Sequence, residues 1–271
     1  MSVMLEIEDG NPWWESPNLW VVPGNDPQGP PGVPVAGEQA FLWAHVRNVG
    51  NSGVNNATVR FYWANPAIGF DRTTATIVGT SFVTLDAGAE SDVLCLVPWV
   101  PSYVNGGHEC ILGEAFDPLT DPLPLTAAFN VPTDRHVAQR NLAVLMAHSW
   151  FHFPFEIHNT SRLPRTFVVE ARQAELSEID RLNPTLGEYQ AAGRAERKIK
   201  ALALVTSPCP VERERKGQPH AEVKLAGNAR TGLTVVGELE SGAALLRVTQ
   251  SSDGRVIGGA SVLVLGKAEK P

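Results

Sequence analysis

At 271 residues the chain has room for two domains of ordinary size, each with its own core. A net charge of −7 and a pI near 5.5 argue against a protein that tracks nucleic acid or anionic lipid. A hydrophobic fraction of 43% argues against wholesale disorder, and no run of about eighteen apolar residues marks a membrane span.

Met1 to Gly10 carries Glu6, Glu8 and Asp9 and no basic start, so it does not read as a signal peptide. Residues 1–38 read as a Pro-, Gly- and Trp-rich opening segment with a first strand at Leu19–Val22. Gly24 to Gly37 contains Pro27, Pro30, Pro31 and Pro34. Proline fixes φ and lacks a donor, so this stretch is a long turn and not central sheet. Trp13, Trp14 and Trp20 are candidate interaction residues. Two readings stand for Trp13 and Trp14: a ligand platform, or a clamp against the sandwich end or a neighbouring subunit. The second is favoured, because aromatics supply large burial at an edge. With two prolines nearby, this segment is expected to pair poorly with the sheet.

From Phe41 to Pro118 the chain is a series of short β-branched and aromatic runs separated by Gly, Asn and Pro. They are Phe41–Val49, Val59–Trp63, Thr76–Gly79, Ser81–Leu85, Val93–Trp99 and His108–Phe116. That is the pattern of an all-β sandwich. The last two runs read as a closing antiparallel pair. With a turn centred between Ser102 and Tyr103, Cys95 and Cys110 stand opposite each other. Opposed residues have Cα atoms about 4.5–5.5 Å apart, within reach of a disulfide. Two buried free thiols are the alternative. Cys209, between Pro208 and Pro210, has no evident partner.

These residues carry a resemblance. "SPNLWV", the Pro/Gly turn, "FLWAHVRNVGNSGVNNATVRFYW", "VTLDAGAESDVLCLVPWVP" and "HECILGEAFDP" resemble the CARDB-type bacterial Ig-like domain over about residues 16–118. The resemblance implies an Ig-like β-sandwich, assigned here to residues 16–130, and a non-catalytic module of surface or secreted proteins. It favours an extracellular or particle-associated setting. The long Asn65–Arg72 loop and the two cysteines depart from the family pattern.

Asp117 and Asp121 lie on a loop with no third carboxylate near in sequence, too few oxygens for calcium. Residues 131–141 read as a polar linker. A second β-sandwich is expected over 142–267. Phe151, Phe153, Phe155 and Ile157 alternate with His152, Pro154, Glu156 and His158, a half-buried strand whose likeliest partner by position is Arg165–Ala171. His148, His152 and His158 are too spread along a strand to converge on zinc. Residues 176–205 break the pattern, and Leu186–Leu204 is rich in helix formers, so a short helical insertion is expected. Three strands follow, then an Asp253-Gly254 hairpin turn and a closing strand Arg255–Leu265, whose Gly258-Gly259 marks a bulge.

The fold class expected is all-β: two tandem Ig-like antiparallel β-sandwiches, the second with a helical insertion. No nucleophile-elbow or His-Glu-x-x-His motif occurs, and no phosphate loop. No catalytic, cofactor-binding or metal-ligating residue is assigned. The function expected is that of a structural or protein-interaction protein, its partners other protein subunits in a homo-oligomer or larger assembly. The alternative is a carbohydrate-binding accessory module, with Trp13, Trp14 or Trp63 stacking on a glycan.

Overall fold

The computed structural model describes residues 2–32, 34, 37–64, 71–101, 110–147, 149–159, 161–178, 194–206 and 217–267. The chain divides into two compact units, the first holding the described residues up to Asn141 and the second those from Leu142. Both are antiparallel β-sandwiches of the Ig-like kind.

The first unit contains β1 (Leu5–Glu6), β2 (Leu19–Pro23), β3 (Ala40–Asn48), β4 (Val54–Ala64), β5 (Thr76–Leu85), β6 (Glu90–Leu94), β7 (Cys110–Phe116) and β8 (Val137–Arg140). One sheet is centred on β3, with β1 and β2 on one side and β6 on the other. The facing sheet runs β5-β4-β7-β8. Leu42, Ala44, Val46 and Val93 meet Val59, Phe61 and Ala115 in the core between them.

β7 is buried at every position. One face, Ile111 and Ala115, fills the core. The other, Leu112, packs with Tyr62 under Phe129 and Val131, which the chain brings back over the outside of the sheet. Gly113 allows this closeness on the core side: a Cβ there would stand 2.6 Å from Leu19 Cδ2. Residues 131–141 are therefore not a linker. Val131–Thr133 is a 3-10 turn, and Val137–Arg140 pairs with β7 from Ile111↔Arg140 to Glu114↔Val137. Their polar sequence belongs to buried pairs, described below, and not to solvent.

The second unit contains β9 (Leu142–Met146), β10 (Ser149–His158), β11 (Arg165–Ala174), β12 (Lys200–Val205), β13 (His220–Leu225), β14 (Arg230–Leu239), β15 (Ala243–Ser252) and β16 (Arg255–Leu265). Its sheets run β10-β14-β12 and β13-β11-β15-β16-β9, with β9 lying parallel to β16. The consecutive strands β10 and β11 do not pair; they fall in opposite sheets. Phe151, Phe153 and Ile157 from one meet Phe167, Val169 and Leu246 from the other in the core. The period-two pattern set the faces but not the partners. At Asp253-Gly254 both residues have positive φ, 53° and 73°, as the two-residue hairpin turn requires. The register slips beside Gly258, between Gln250 and Ser251.

Among the described residues the helical insertion is limited to Ser177 and Glu178. Residues 179–193 lie outside the described residues, so part of that expectation falls on them. Its C-terminal part, Lys200–Val205, is strand β12, paired with β14 from Lys200↔Glu238 to Val205↔Thr234. Helix propensity is worth a few tenths of a kcal/mol per residue. Burying Leu204 and Ala203 against β14 overrides it.

Candidate functional site

Trp13 and Trp14 sit on a tight hairpin closed by the Glu15 N–H donating to the Pro12 carbonyl at 3.0 Å. Gly10 permits it, since a Cβ there would fall 2.2 Å from the Glu15 carbonyl oxygen. The chain then runs along the free side of β8. Ser16 N–H donates to Gln139 O at 2.9 Å and Asn141 N–H to Trp14 O at 2.8 Å. The segment expected to pair poorly thus extends the sheet. Trp14 is 3% exposed. Trp13 meets it edge to face, centroids 5.3 Å apart, and packs against the Tyr62–Phe129 cluster. Trp14 is covered by its own unit, and Trp13 is partly buried against it.

Arg140 fastens this hairpin. Its guanidinium is buried and donates to Leu19 O at 2.9 Å. Burial pushes its pKa down to about 10, against the pull of Glu15. The two segments are far apart in sequence, and no local pattern announces the contact.

Trp20 differs from the other two. It lies on the outer face of the β3 sheet, opposite Trp43, which lies opposite Leu94. The two indoles stack at 5.9 Å with planes 7° apart. Trp43 Nε1 donates to Pro27 O at 3.0 Å, which gives the Pro/Gly loop its anchor. Further along the same face His45 Nδ1 stands 2.7 Å from Asp92 Oδ1, and Arg47 lies between Glu8 and Glu90 at 3.7 and 3.6 Å. This half-exposed row of two indoles and a charged ladder is the surface feature of the first unit. Trp63 does not join it, since its ring packs against the core.

Cys95 and Cys110 are not bonded to each other. β6 pairs with β3, while β7 pairs with β4 and β8, so the two cysteines belong to opposite sheets and are not cross-strand neighbours. Cys95 N–H donates to Leu42 O at 2.9 Å, and Cys110 lies opposite Ala64. Burial raises the Cys95 thiol pKa, so it stays protonated. The Ser102–Tyr103 turn and Cys209 lie outside the described residues.

A buried network of charges holds the returning segment onto β7. Glu114 Oε2 accepts from Arg72 Nε at 2.7 Å, and its Oε1 accepts from Tyr62. Arg72 lies over the Phe129 ring at 4.8 Å and reaches Asp134 at 3.6 Å. Asp134 pairs with His136 Nδ1 at 2.7 Å. Burial pushes the Asp134 carboxyl up, but the His136 bonds and Arg72 outweigh it and hold the group below its usual range. Asp121 accepts from the Leu5 N–H at 2.6 Å and from Arg135. Asp117 accepts from its own turn, Thr120 N–H at 2.7 Å. Tyr62 stays protonated, since burial and then Glu114 beside it raise its pKa.

Asp9 is the exception. Its carboxyl is pushed up to about 7, first by burial and then by Glu6, Asp134 and Glu8. Among the described residues no group of three or more His, Cys, Asp or Glu converges on a point where a metal would bind. His152 is exposed on β10 and His158 is half-buried; His148 lies outside the described residues. Among the described residues no helix is long and apolar enough to cross a membrane.

No protein-family model and no curated relative matches the chain. Solved structures do. One is the CARDB domain of a Pyrococcus furiosus protein in complex with di-metal ions, at 22% identity and a TM-score of 0.28, covering 45% of this chain and 84% of that one. A solution structure of that CARDB domain matches at 21% identity and a TM-score of 0.26, over 46% and 91% of the two chains. A β-glucosidase from Kluyveromyces marxianus matches at 13% identity and a TM-score of 0.24, over 45% of this chain but 14% of the enzyme. The CARDB domains are the family that the strand motifs of the first unit resemble.

Proposed function

We propose that the chain is a non-catalytic structural or protein-interaction protein, a component of a bacterial surface, fibre or secreted assembly made of Ig-like modules. Its partners are other protein subunits, including further copies of itself. The observation that carries this reading is the use made of the buried ionisable groups. Glu114, Asp121, Asp134 and Arg140 each face a partner from their own chain. They fasten the two ends of the first unit, Leu5–Leu19 and Asp117–Asn141, onto one sheet. Chemistry-bearing side chains serve there to hold a shape. Trp20 remains as an interaction residue together with Trp43, whereas Trp13 and Trp14 are anchors.

The test is sedimentation velocity of the full chain over a wide concentration range, beside assays with glycoside and ester substrates. Association that grows with concentration, without turnover, is expected. A chain that stays monomeric throughout and turns over a substrate would overturn the reading.

A further inference from the structure

Sheet edges invite pairing with another chain, and folded proteins guard them with charge, proline, bulges or a covering segment. Most edges of this molecule are guarded. β8 is covered by residues 14–16. β6 carries Glu90 and Asp92, β2 ends in Pro23, β10 contains Pro154 and Glu156, and β13 carries Glu222 and Lys224. β12 has Lys200 and a bulge. β9 also lacks charge and proline but has only five residues. β5 has ten, Thr-Ile-Val-Gly-Thr-Ser-Phe-Val-Thr-Leu, without a charge or a proline, and its one bulge, at Val78, lies toward one end. It pairs with β4 on one side, and among the described residues no strand pairs with its other side.

We propose that β5 is a self-association edge, pairing antiparallel with β5 of a second copy about a two-fold axis through Phe82. This rests on the assembly reading above and gives it a surface. A register slip sets Val78 apart, because Gly79 opposes Phe61 while Ile77 opposes Tyr62. A second slip, between Val54 and Ala57, puts its extra residue on β4, so β5 itself runs without an insertion over Gly79–Leu85, whose middle residue is Phe82. Along it Thr80, Phe82 and Thr84 are exposed, and Gly79, Ser81 and Leu85 are buried. Folding this strand on itself about Phe82 opposes Phe82 to Phe82, Thr80 to Thr84, Ser81 to Val83 and Gly79 to Leu85. Outward-facing residues meet outward-facing ones, inward-facing meet inward-facing, with Val83 half-buried among them, and no charge meets a like charge. Aromatic and Thr–Thr cross-strand pairs are favourable ones. A two-fold interface requires this self-complementarity, which an edge bearing one sign of charge lacks.

The surroundings agree. Phe82 is 65% exposed and Ile77 55%. Leu96 and Val97, also exposed, flank the same edge, with Val97 packed against the Gly79 position. Pairing would join two four-stranded sheets into one continuous sheet and cover this apolar margin.

The decisive experiment uses the full chain with Phe82→Glu and Phe82→Lys, read by sedimentation velocity. Phe82 is exposed, so circular dichroism and thermal melting should show both variants folded. The wild-type chain is expected to dimerise. Each variant alone places like charges face to face on the axis and should dimerise at least about tenfold more weakly. Mixing the two variants places Glu against Lys, and the dimer should return. If the variants dimerise as well as wild type, the β5 pairing is overturned and assembly through another surface stands. If the variants are monomeric and mixing restores nothing, the pairing about Phe82 is overturned. A monomeric wild-type chain overturns the pairing and self-assembly together, leaving the edge to an extended segment of another protein.

Discussion

The two units reach the same architecture with different interiors. The first holds Glu114 at 0% exposure and Asp134, His136, Arg140 and Asp121 below a tenth. The second closes its core with Phe151, Phe153, Phe167, Leu246 and Val262, and among its described residues only one charged side chain, Arg247, is below a tenth exposed, paired with Glu178. Yet at one point they are alike. Asn48, at the end of β3, accepts from Met4 and Gly50 N–H and donates to Ser52 and Asp86 carbonyls. Asn159, just past β10, accepts from Ser161 N–H and donates to the carbonyls of Leu163, Leu225 and Ala226. Each is a buried amide that satisfies loop backbone which the sheets leave unpaired. The shared device belongs to the sandwich, and the ion network belongs to what the first unit adds: two chain ends laid over its outer face.

That contrast can be broken most forcefully at Glu114. Glu114→Ala would leave Arg72 and Tyr62 buried without their acceptor. Breaking a buried ion pair from one side costs about 3–5 kcal/mol. Hydrogen exchange should show protection falling across the first unit, in β7, β8 and residues 117–136, with the second unit unchanged. Equal loss in both units would mean that they unfold together and that the network is not local to the first.

The asparagines sharpen the likeness. Asn48→Ala and Asn159→Ala should each cost about 1–3 kcal/mol, since each strands several buried backbone groups. Each loss should appear in its own unit, at Met4–Asp86 for the one and at Leu163–Ala226 for the other. Effects of very different size would show that the two amides do not do the same work.

How much of this was legible follows from range. The Asp253-Gly254 turn and the alternation of Phe151, Phe153 and Ile157 are local signals, and they placed a hairpin and a buried face correctly. Most first-unit strands were legible for the same reason, but β1 was not, and β8 read as linker. Partner choice was not: β6 and β7 read as a hairpin because they are consecutive, but β6 closes on β3 and β7 on β4. Of the two readings of Cys95 and Cys110, the disulfide fell with that pairing and the buried free thiols stand. Nothing within the run His108–Phe116 marks Glu114 as buried. What buries it is Phe129 and its neighbours, whose return over the sheet has no local signature. The Ala- and Lys-rich run ending in β12 misled because propensity is weak beside the burial gained against β14. Trp20 was singled out from sequence; its partner Trp43 was hidden in a strand that seemed buried on both faces.

The smallest effect expected belongs to Asp9, and its sign is specific. Its carboxyl has an ordinary value near 3.8 and about 7 in the folded protein. A raised acid pKa means that the folded state keeps a proton that the unfolded state has released. The stability difference is therefore absent below about pH 4. It grows unfavourable as pH climbs from there to about 7, and is constant above. Asp9→Asn removes the charge and keeps the shape. It should leave stability unchanged at pH 4 and raise it by up to about 1 kcal/mol at pH 8, a modest gain because the side chain is half-exposed and screened. Thermal melting at the two pH values reads this as a gap between variant and wild type that opens with pH. A gap for Asp9→Asn of the same size at both pH values would assign the effect to packing and not to the charge.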